Sequence, residues 1–182
     1  ANKVMFNENA YNSLSKFFSD ENKFTLGICN GCQMLSNLKS IIPGSSHWPE
    51  FISNTSNQFE ARQILIKVAK TNSILFKDMQ SSILPVIVSH GEGKVLINKN
   101  NKIKKSTISF VDSFGKITNQ YPFNPNGSYQ GATGFCNNDG RINIMMPHPE
   151  RLIHINNYSW APKEWRQSPW LKFFNNAREW IN

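Results

Sequence analysis

The stretch Phe24-Thr25-Leu26-Gly27-Ile28-Cys29-Asn30-Gly31-Cys32-Gln33 decides how this chain folds. Residues 24–28 are apolar, few, and follow a polar segment at 20–23, which predicts a short buried strand. Residues 31–42 place apolar side chains at helical spacing and stop at Pro43-Gly44, which predicts a helix. Between them lies one sharp turn, and Cys29 sits on it. Strand, turn and helix give the cysteine version of the Gly-x-Ser-x-Gly nucleophile elbow. A residue on such a turn is held in a strained backbone conformation. Its neighbours two before and two after crowd each other, so glycine fits at Gly27 and Gly31. The helix that follows points its N-terminal N–H groups back at the sulfur, where they stabilise a thiolate or a developing oxyanion. Two other readings of the same residues stay open. Cys29 and Cys32 form a C-x-x-C pair of redox or zinc type, although zinc needs a second ligand pair and Cys136 is the one cysteine left. Alternatively, Cys29 is a small buried core residue.

Upstream of this unit, Val4, Tyr11, Leu14, Phe17 and Phe18 predict an amphipathic helix near 4–18. Downstream, 45–57 reads as a long polar loop. The alternating stretches 60–69, 83–89, 94–98 and 103–112 read as strands, with a helical turn near 73–79. Residues 124–131, rich in Gly, Pro and Asn, predict an ordered loop. Asn137-Asn138-Asp139-Gly140 between 133–136 and 141–146 predicts a hairpin. Ser168-Pro169 opens a last helix, whose Trp170, Phe173, Phe174, Ala177, Trp180 and Ile181 share one face and pack on a core.

The second chemical signal is Met145-Met146-Pro147-His148-Pro149-Glu150, at the C-terminal end of a predicted strand, the edge where α/β sheets build sites. The two prolines exclude helix and hold the backbone extended, so that His148 and Glu150 are neighbours. A carboxylate accepting from a histidine ring fixes its tautomer, and a cysteine nucleophile needs such a base. His90, in Ser89-His90-Gly91-Glu92-Gly93, follows an apolar strand. Its glycines permit close approach by a ligand, and a plain turn is the competing expectation. His47 and His154 read as surface or interface residues, and Cys136 as core.

Composition bounds the rest. With 182 residues, 39% hydrophobic and 12% aromatic, the chain reads as one domain with a real core. No apolar run is long enough to span a bilayer, and residues 1–4 show no signal pattern, so a membrane or secreted protein is not expected. Lys+Arg 20 against Asp+Glu 12 gives +8. The excess is spread out, and the one dense run, 99–105, reads as a solvated hairpin end. A nucleic-acid module would need aromatics interleaved with a clustered basic face, which is not seen. Three irregularly spaced cysteines suit a reducing compartment, hence a cytoplasmic location.

Taken together, Gly27-Ile28-Cys29-Asn30-Gly31-Cys32-Gln33 and Pro147-His148-Pro149-Glu150 resemble the class I, triad-type glutamine amidotransferases. The likeness narrows with Ile42-Pro43-Gly44, His47-Trp48-Pro49, Asn57-Gln58-Phe59-Glu60-Ala61-Arg62, Ser89-His90-Gly91-Glu92-Gly93, Asn124-Pro125-Asn126-Gly127-Ser128 and Ser168-Pro169-Trp170. In this order they are similar to the glutaminase domain that ends the large, single-chain phosphoribosylformylglycinamidine synthases of purine biosynthesis. The resemblance implies an α/β, flavodoxin-like sandwich: a mostly parallel central sheet with helices on both faces, plus antiparallel strands. It implies hydrolysis of glutamine through a thioester, and ammonia channelled to a synthetase domain of the same enzyme that uses ATP and magnesium. No cofactor or metal is expected in residues 1–182 themselves. Carried over, Cys29 is the nucleophile, His148 the base and Glu150 its orienter. The Asn30 N–H is an oxyanion donor, and Gln33, Ser89, His90 and Gly91 lie near bound glutamine. The family fold starts with strands and a Gly-rich loop upstream of the segment matching Ala1. The chain is therefore expected to be a single glutaminase domain from the C-terminal part of a longer protein, weakly active alone. A free-standing Cys-dependent γ-glutamyl hydrolase and a non-catalytic structural fragment are the alternatives.

Overall fold

The computed structural model describes residues 7–96 and 106–181. The chain opens with helix α1 (Glu8–Ser19), capped by the Asn7 side chain, which accepts from the Ala10 N–H at 2.9 Å. Strand β1 (Thr25–Ile28) and helix α2 (Asn30–Asn37) follow. Helix α2 is shorter than the expected 31–42. Its last apolar residues continue as turns whose carbonyls at Lys39 and Ile42 bond to the Ser45 hydroxyl. The remaining strands are β2 (Glu50–Ser53), β3 (Glu60–Val68), β4 (Ile83–His90), β5 (Glu92–Leu96), β6 (Ile108–Val111), β7 (Ala132–Cys136) and β8 (Ile142–Met145). Helix α3 (Trp170–Ile181) ends the described chain. The Ser168 hydroxyl accepts from the Trp170 N–H, as its N-cap position predicts. Residues 97–105, with the basic run and the outer ends of two expected strands, lie outside the described residues.

Six strands form one mixed sheet in the order β1-β8-β7-β6-β3-β4, and β2 pairs with β5 in a separate ribbon. Two layers of apolar side chains flank the large sheet. On one side Ile66, Val86, Phe110, Trp170 and Phe173 form a core under α3. On the other, Phe18, Leu35, Leu38, Trp48, Phe135 and Ile144 form a core under α1 and α2. Strands β6, β7 and β8 are buried along their whole length because both faces are covered. This is the α/β architecture with helices on both faces that the resemblance implies.

The strand directions differ from expectation. Only β1–β8 is parallel, and the other four pairings in the large sheet are antiparallel. The reason is connectivity. Residues 137–141 and 69–82 are short returns between neighbours, and short returns give antiparallel pairs, whereas β1 and β8 are joined by a long excursion. Residues 45–57 also contain β2, a strand where a loop was expected. Its partner β5 lies about forty residues further on, so local alternation alone could not reveal it.

The sheet curls. Although β4 is the edge strand farthest from β1 in the order, its Ile87 bridges to His148, just past the end of β8. The curl brings the carboxyl end of β8 beside the last residues of β4.

Candidate active site

Cys29 stands between the last residue of β1 and the first of α2, with φ 52° and ψ −109°. Such a conformation costs a non-glycine residue about 1–3 kcal/mol and persists only where its surroundings enforce it. Here the Cys29 N–H donates to the Met145 carbonyl at 3.0 Å, and the Cys29 carbonyl accepts from the Gln33 N–H at 3.1 Å. Gly27 is required: a β-carbon there would lie 2.7 Å from the Gly31 carbonyl oxygen and 2.6 Å from Leu35 Cδ1. The leucine can turn, but the carbonyl is fixed in the helix. At Gly31 the expectation fails, because a β-carbon would meet open space. The crowding is one-sided: Gly31 offers its carbonyl to Gly27 and its Cα hydrogen to the exterior. Gly27→Ala is therefore expected to destabilise the fold by about 1–3 kcal/mol through overpacking. Gly31→Ala should hold or gain stability, since alanine favours helix by about 1 kcal/mol. Thermal unfolding of the two variants side by side checks the contrast.

His148 follows β8 through Met146-Pro147. Its Nδ1 lies 2.6 Å from Glu150 Oε1. The expectation of an extended backbone is corrected here, because Pro149–Leu152 forms a 3₁₀ turn. Proline at the first helical position costs nothing, and that turn carries Glu150 back to the ring. A carboxylate only accepts, so Nδ1 carries the proton and the Nε2 lone pair is free. Nε2 is buried and has no hydrogen-bond partner. Burial pushes the Glu150 carboxyl up, but the hydrogen bond from His148, a backbone N–H and the charges of His148 and Arg151 together hold it below its ordinary value.

The two halves meet through the sheet. β1 and β8 are parallel neighbours with Ile28 opposite Met145, so Cys29 and the segment leading to His148 leave the same edge side by side. The curled β4 closes the third side. The His148 N–H donates to the Ile87 carbonyl at 2.8 Å, and Cys29 Sγ faces the Ser89 carbonyl at 3.9 Å. Cys29 is half-buried and close enough to Arg151 and Glu150 to feel both charges. Burial pushes the Cys29 thiol up, while the Asn30 N–H and Arg151 offset part of that. The thiol is thus protonated at neutral pH and needs a base to become a nucleophile.

Of the other expected contact residues, Gln33 donates from Nε2 to the Glu92 carbonyl at 2.9 Å. This ties the first turn of α2 to the 89–93 turn, whose Ser89 carbonyl faces Cys29 Sγ. His90 is 4% exposed, and neither ring nitrogen has a hydrogen-bond partner. Its ring packs flush on Gly93, where a β-carbon would lie 2.2 Å from it. It stands opposite the buried Glu60 in the β3–β4 register. Burial, then the His148 charge, lowers the His90 pKa from 6.5 to about 4. Between those values the unfolded chain holds a proton that the folded chain does not. Stability should therefore fall as pH drops from 6.5 towards 4, by up to about 3 kcal/mol. Unfolding midpoints measured across that window should drop less steeply in His90→Gln than in the parent protein.

Cys32 is fully buried on the inner face of α2, so the C-x-x-C spacing does not present two accessible sulfurs. Among the described residues no three His, Cys, Asp or Glu side chains converge as a metal set, and no helix is long and apolar enough to cross a membrane. Cys136 is buried at the end of β7 beside Thr71 and Asn72. His47 bonds the Cys136 carbonyl at 3.1 Å, and His154 is exposed. Sequence reasoning missed Asn54 and Asn126, both fully buried and both bonded to the 89–93 turn. Nothing in their local spacing distinguishes them from the chain's many surface asparagines.

The sequence profile of the CobB/CobQ-like glutamine amidotransferase domain matches residues 1–181. Among solved structures, the PurLQS structure from Thermotoga maritima superposes with a TM-score of 0.65 at 18% identity, over 90% of this chain and 65% of that one. A Thermoplasma acidophilum protein described as a GMP synthase subunit superposes with a TM-score of 0.53 at 15% identity, over 95% of this chain and 64% of that one. The chain thus spans just under two thirds of the length of either. At these identities the likeness is one of fold.

Proposed function

Because the chain belongs to the CobB/CobQ-like glutamine amidotransferase domains, we propose that it is the glutaminase part of a phosphoribosylformylglycinamidine synthase. What supports the chemistry is that a strained Cys29 and the His148–Glu150 pair both leave the carboxyl ends of two adjacent parallel strands, with Ile28 opposite Met145. His148 Nε2 takes the thiol proton, and the sulfur attacks the side-chain amide carbon of glutamine. The Asn30 N–H receives the oxyanion charge. Losing one such donor costs about 10²–10³-fold in rate. The imidazolium then gives its proton to the departing nitrogen, releasing ammonia and leaving a γ-glutamyl thioester on Cys29. His148 next deprotonates a water, which cleaves the thioester to glutamate and restores the thiol. Glu150 holds the ring in the tautomer that both steps need.

The narrower purine assignment is supported by the ordered motifs around Asn57-Gln58-Phe59-Glu60-Ala61-Arg62, Ser89-His90-Gly91-Glu92-Gly93 and Ser168-Pro169-Trp170. In this assignment the partner is a synthetase part of the same protein, which supplies the ATP and magnesium chemistry and receives the ammonia. Residues 1–182 would be one glutaminase domain within it.

The test is active-site labelling of the full-length protein with a glutamine-derived diazoketone, with the adduct mapped by mass spectrometry. The expected result is modification of Cys29 alone, with Cys32 and Cys136 spared and glutamate release lost in step. Labelling confined to another cysteine, or glutamate release that survives full modification of Cys29, would overturn the assignment.

A further inference from the structure

The 89–93 turn carries two contacts to the catalytic elements, the Ser89 carbonyl on Cys29 Sγ and the Glu92 carbonyl on Gln33 Nε2. It is also the corner where the chain leaves the large sheet at the end of β4 and enters the β2–β5 ribbon. A corner with two glycines has many conformations, so something must select one.

Asn54, the residue after β2, uses every polar atom it has. Its Nδ2 donates to the His90 carbonyl at 2.8 Å and the Gln58 carbonyl at 2.9 Å. Its Oδ1 accepts from the Gly93 N–H at 3.1 Å, and its own N–H donates to the Gly91 carbonyl at 2.9 Å. Three of these four bonds end on the turn, and the residue is 1% exposed. Asn126 closes the other side, with Nδ2 donating to the Gly93 carbonyl at 2.8 Å and Oδ1 accepting from the Ser128 N–H. The two asparagines are linked in turn, since the Thr55 N–H donates to the Asn126 carbonyl at 3.1 Å.

Resting on the glutaminase assignment above, we propose that Asn54 is a positioning residue for glutamine binding, with Asn126 as its second support. It fixes the shape of the 89–93 turn against Cys29 and Gln33 without touching the nucleophile or the base. An amide is the side chain suited to this task. Only a group that donates and accepts at once can bridge the His90 carbonyl and the Gly93 N–H across the corner. An aspartate keeps the bond to Gly93 and sets a charge against two carbonyls. An alanine leaves two buried backbone groups of the corner, the His90 carbonyl and the Gly93 N–H, without their side-chain partner, and keeps only the backbone bond to Gly91.

The experiment compares Asn54→Ala with the unsubstituted full-length protein in two assays, glutamine hydrolysis and alkylation of Cys29 by iodoacetamide. Iodoacetamide is too small to need the turn, and it reads the thiol and its base directly. The expected result is a KM for glutamine raised about 10- to 100-fold, since sub-ångström displacement of a positioning group has effects of that size. The alkylation rate should stay within about twofold of the parent. An unchanged KM overturns the proposal, whether kcat is unchanged or falls together with alkylation as in a merely destabilised protein. If Asn54→Ala does not fold by near-UV circular dichroism, Asn126→Ala is carried through the same two assays, and an unchanged KM there overturns the proposal equally. Failure of the underlying assignment is separate, because then the unsubstituted protein neither hydrolyses glutamine nor labels at Cys29.

Discussion

Cys29→Ala in the full-length protein should lower glutamate release by about 10³-fold or more, the loss typical of a deleted covalent nucleophile. The structure gives the reason for the size. No other sulfur can substitute: Cys32 is fully buried, and Cys136 lies at the far end of the strand pair, bonded to Thr71 and Asn72. The fold should survive the change. The strained conformation at residue 29 is enforced by the bonds to Met145 and Gln33, which are backbone bonds that alanine keeps. Steady-state kinetics together with a thermal unfolding curve separates lost chemistry from lost structure. A substituted protein that retains even a few per cent of the parent rate would show that the thioester route is not the one used.

His148→Ala should cost about as much, because in the proposed mechanism nucleophile and base act as one unit and removing either disables both steps. Glu150→Gln is expected to cost less, about 10- to 10³-fold. It acts only through the ring, and its side chain is 41% exposed, so water can partly replace it. The order of effects matters more than the absolute values. With the Cys29 thiol pushed up by burial, the resting site holds a neutral thiol and not a preformed thiolate. The base is then needed for the first step as well as the second. Iodoacetamide alkylation at neutral pH should therefore slow in His148→Ala. If alkylation of Cys29 proceeded at the parent rate in that variant, the thiolate would be formed without His148, and the proton route through its ring would be wrong.

Much of the candidate site's geometry could be read along the chain because its two parts are each local in sequence. The elbow needs only a strand, a turn and a helix within a dozen residues, and Gly27 marks it by the space it leaves for the Gly31 carbonyl. His148 and Glu150 are two residues apart, so a single turn brings them together. The misreadings fall where local pattern is silent. The prolines around His148 were expected to keep the chain extended, yet Pro149 starts a 3₁₀ turn, because φ near −65° suits both. Strand β2 was hidden in a polar segment, since four residues paired to a distant partner carry little pattern of their own. Gly31 was given a steric role that belongs to Gly27 alone.

The sequence by itself determined the strand-turn-helix unit around Cys29, the last helix and the faces they cover, because each follows from periodicity and turn signals over a few residues, while the α/β class came from the motif resemblance. Tertiary structure alone decided that the sheet is mostly antiparallel and curled, and that β4 returns from the far edge to set Ile87 against His148 and Ser89 against Cys29. It also decided that Asn54 and Asn126, indistinguishable from their many surface counterparts in the chain, are buried and bonded at the corner whose Ser89 carbonyl faces Cys29. The physical reason is range. Side-chain periodicity reports which face of one element is buried, whereas strand order and the closing of a curl depend on pairings such as β3–β6, Ile87–His148 and β1–β8, between residues about forty to more than a hundred positions apart, which leave no mark on their neighbours in the chain.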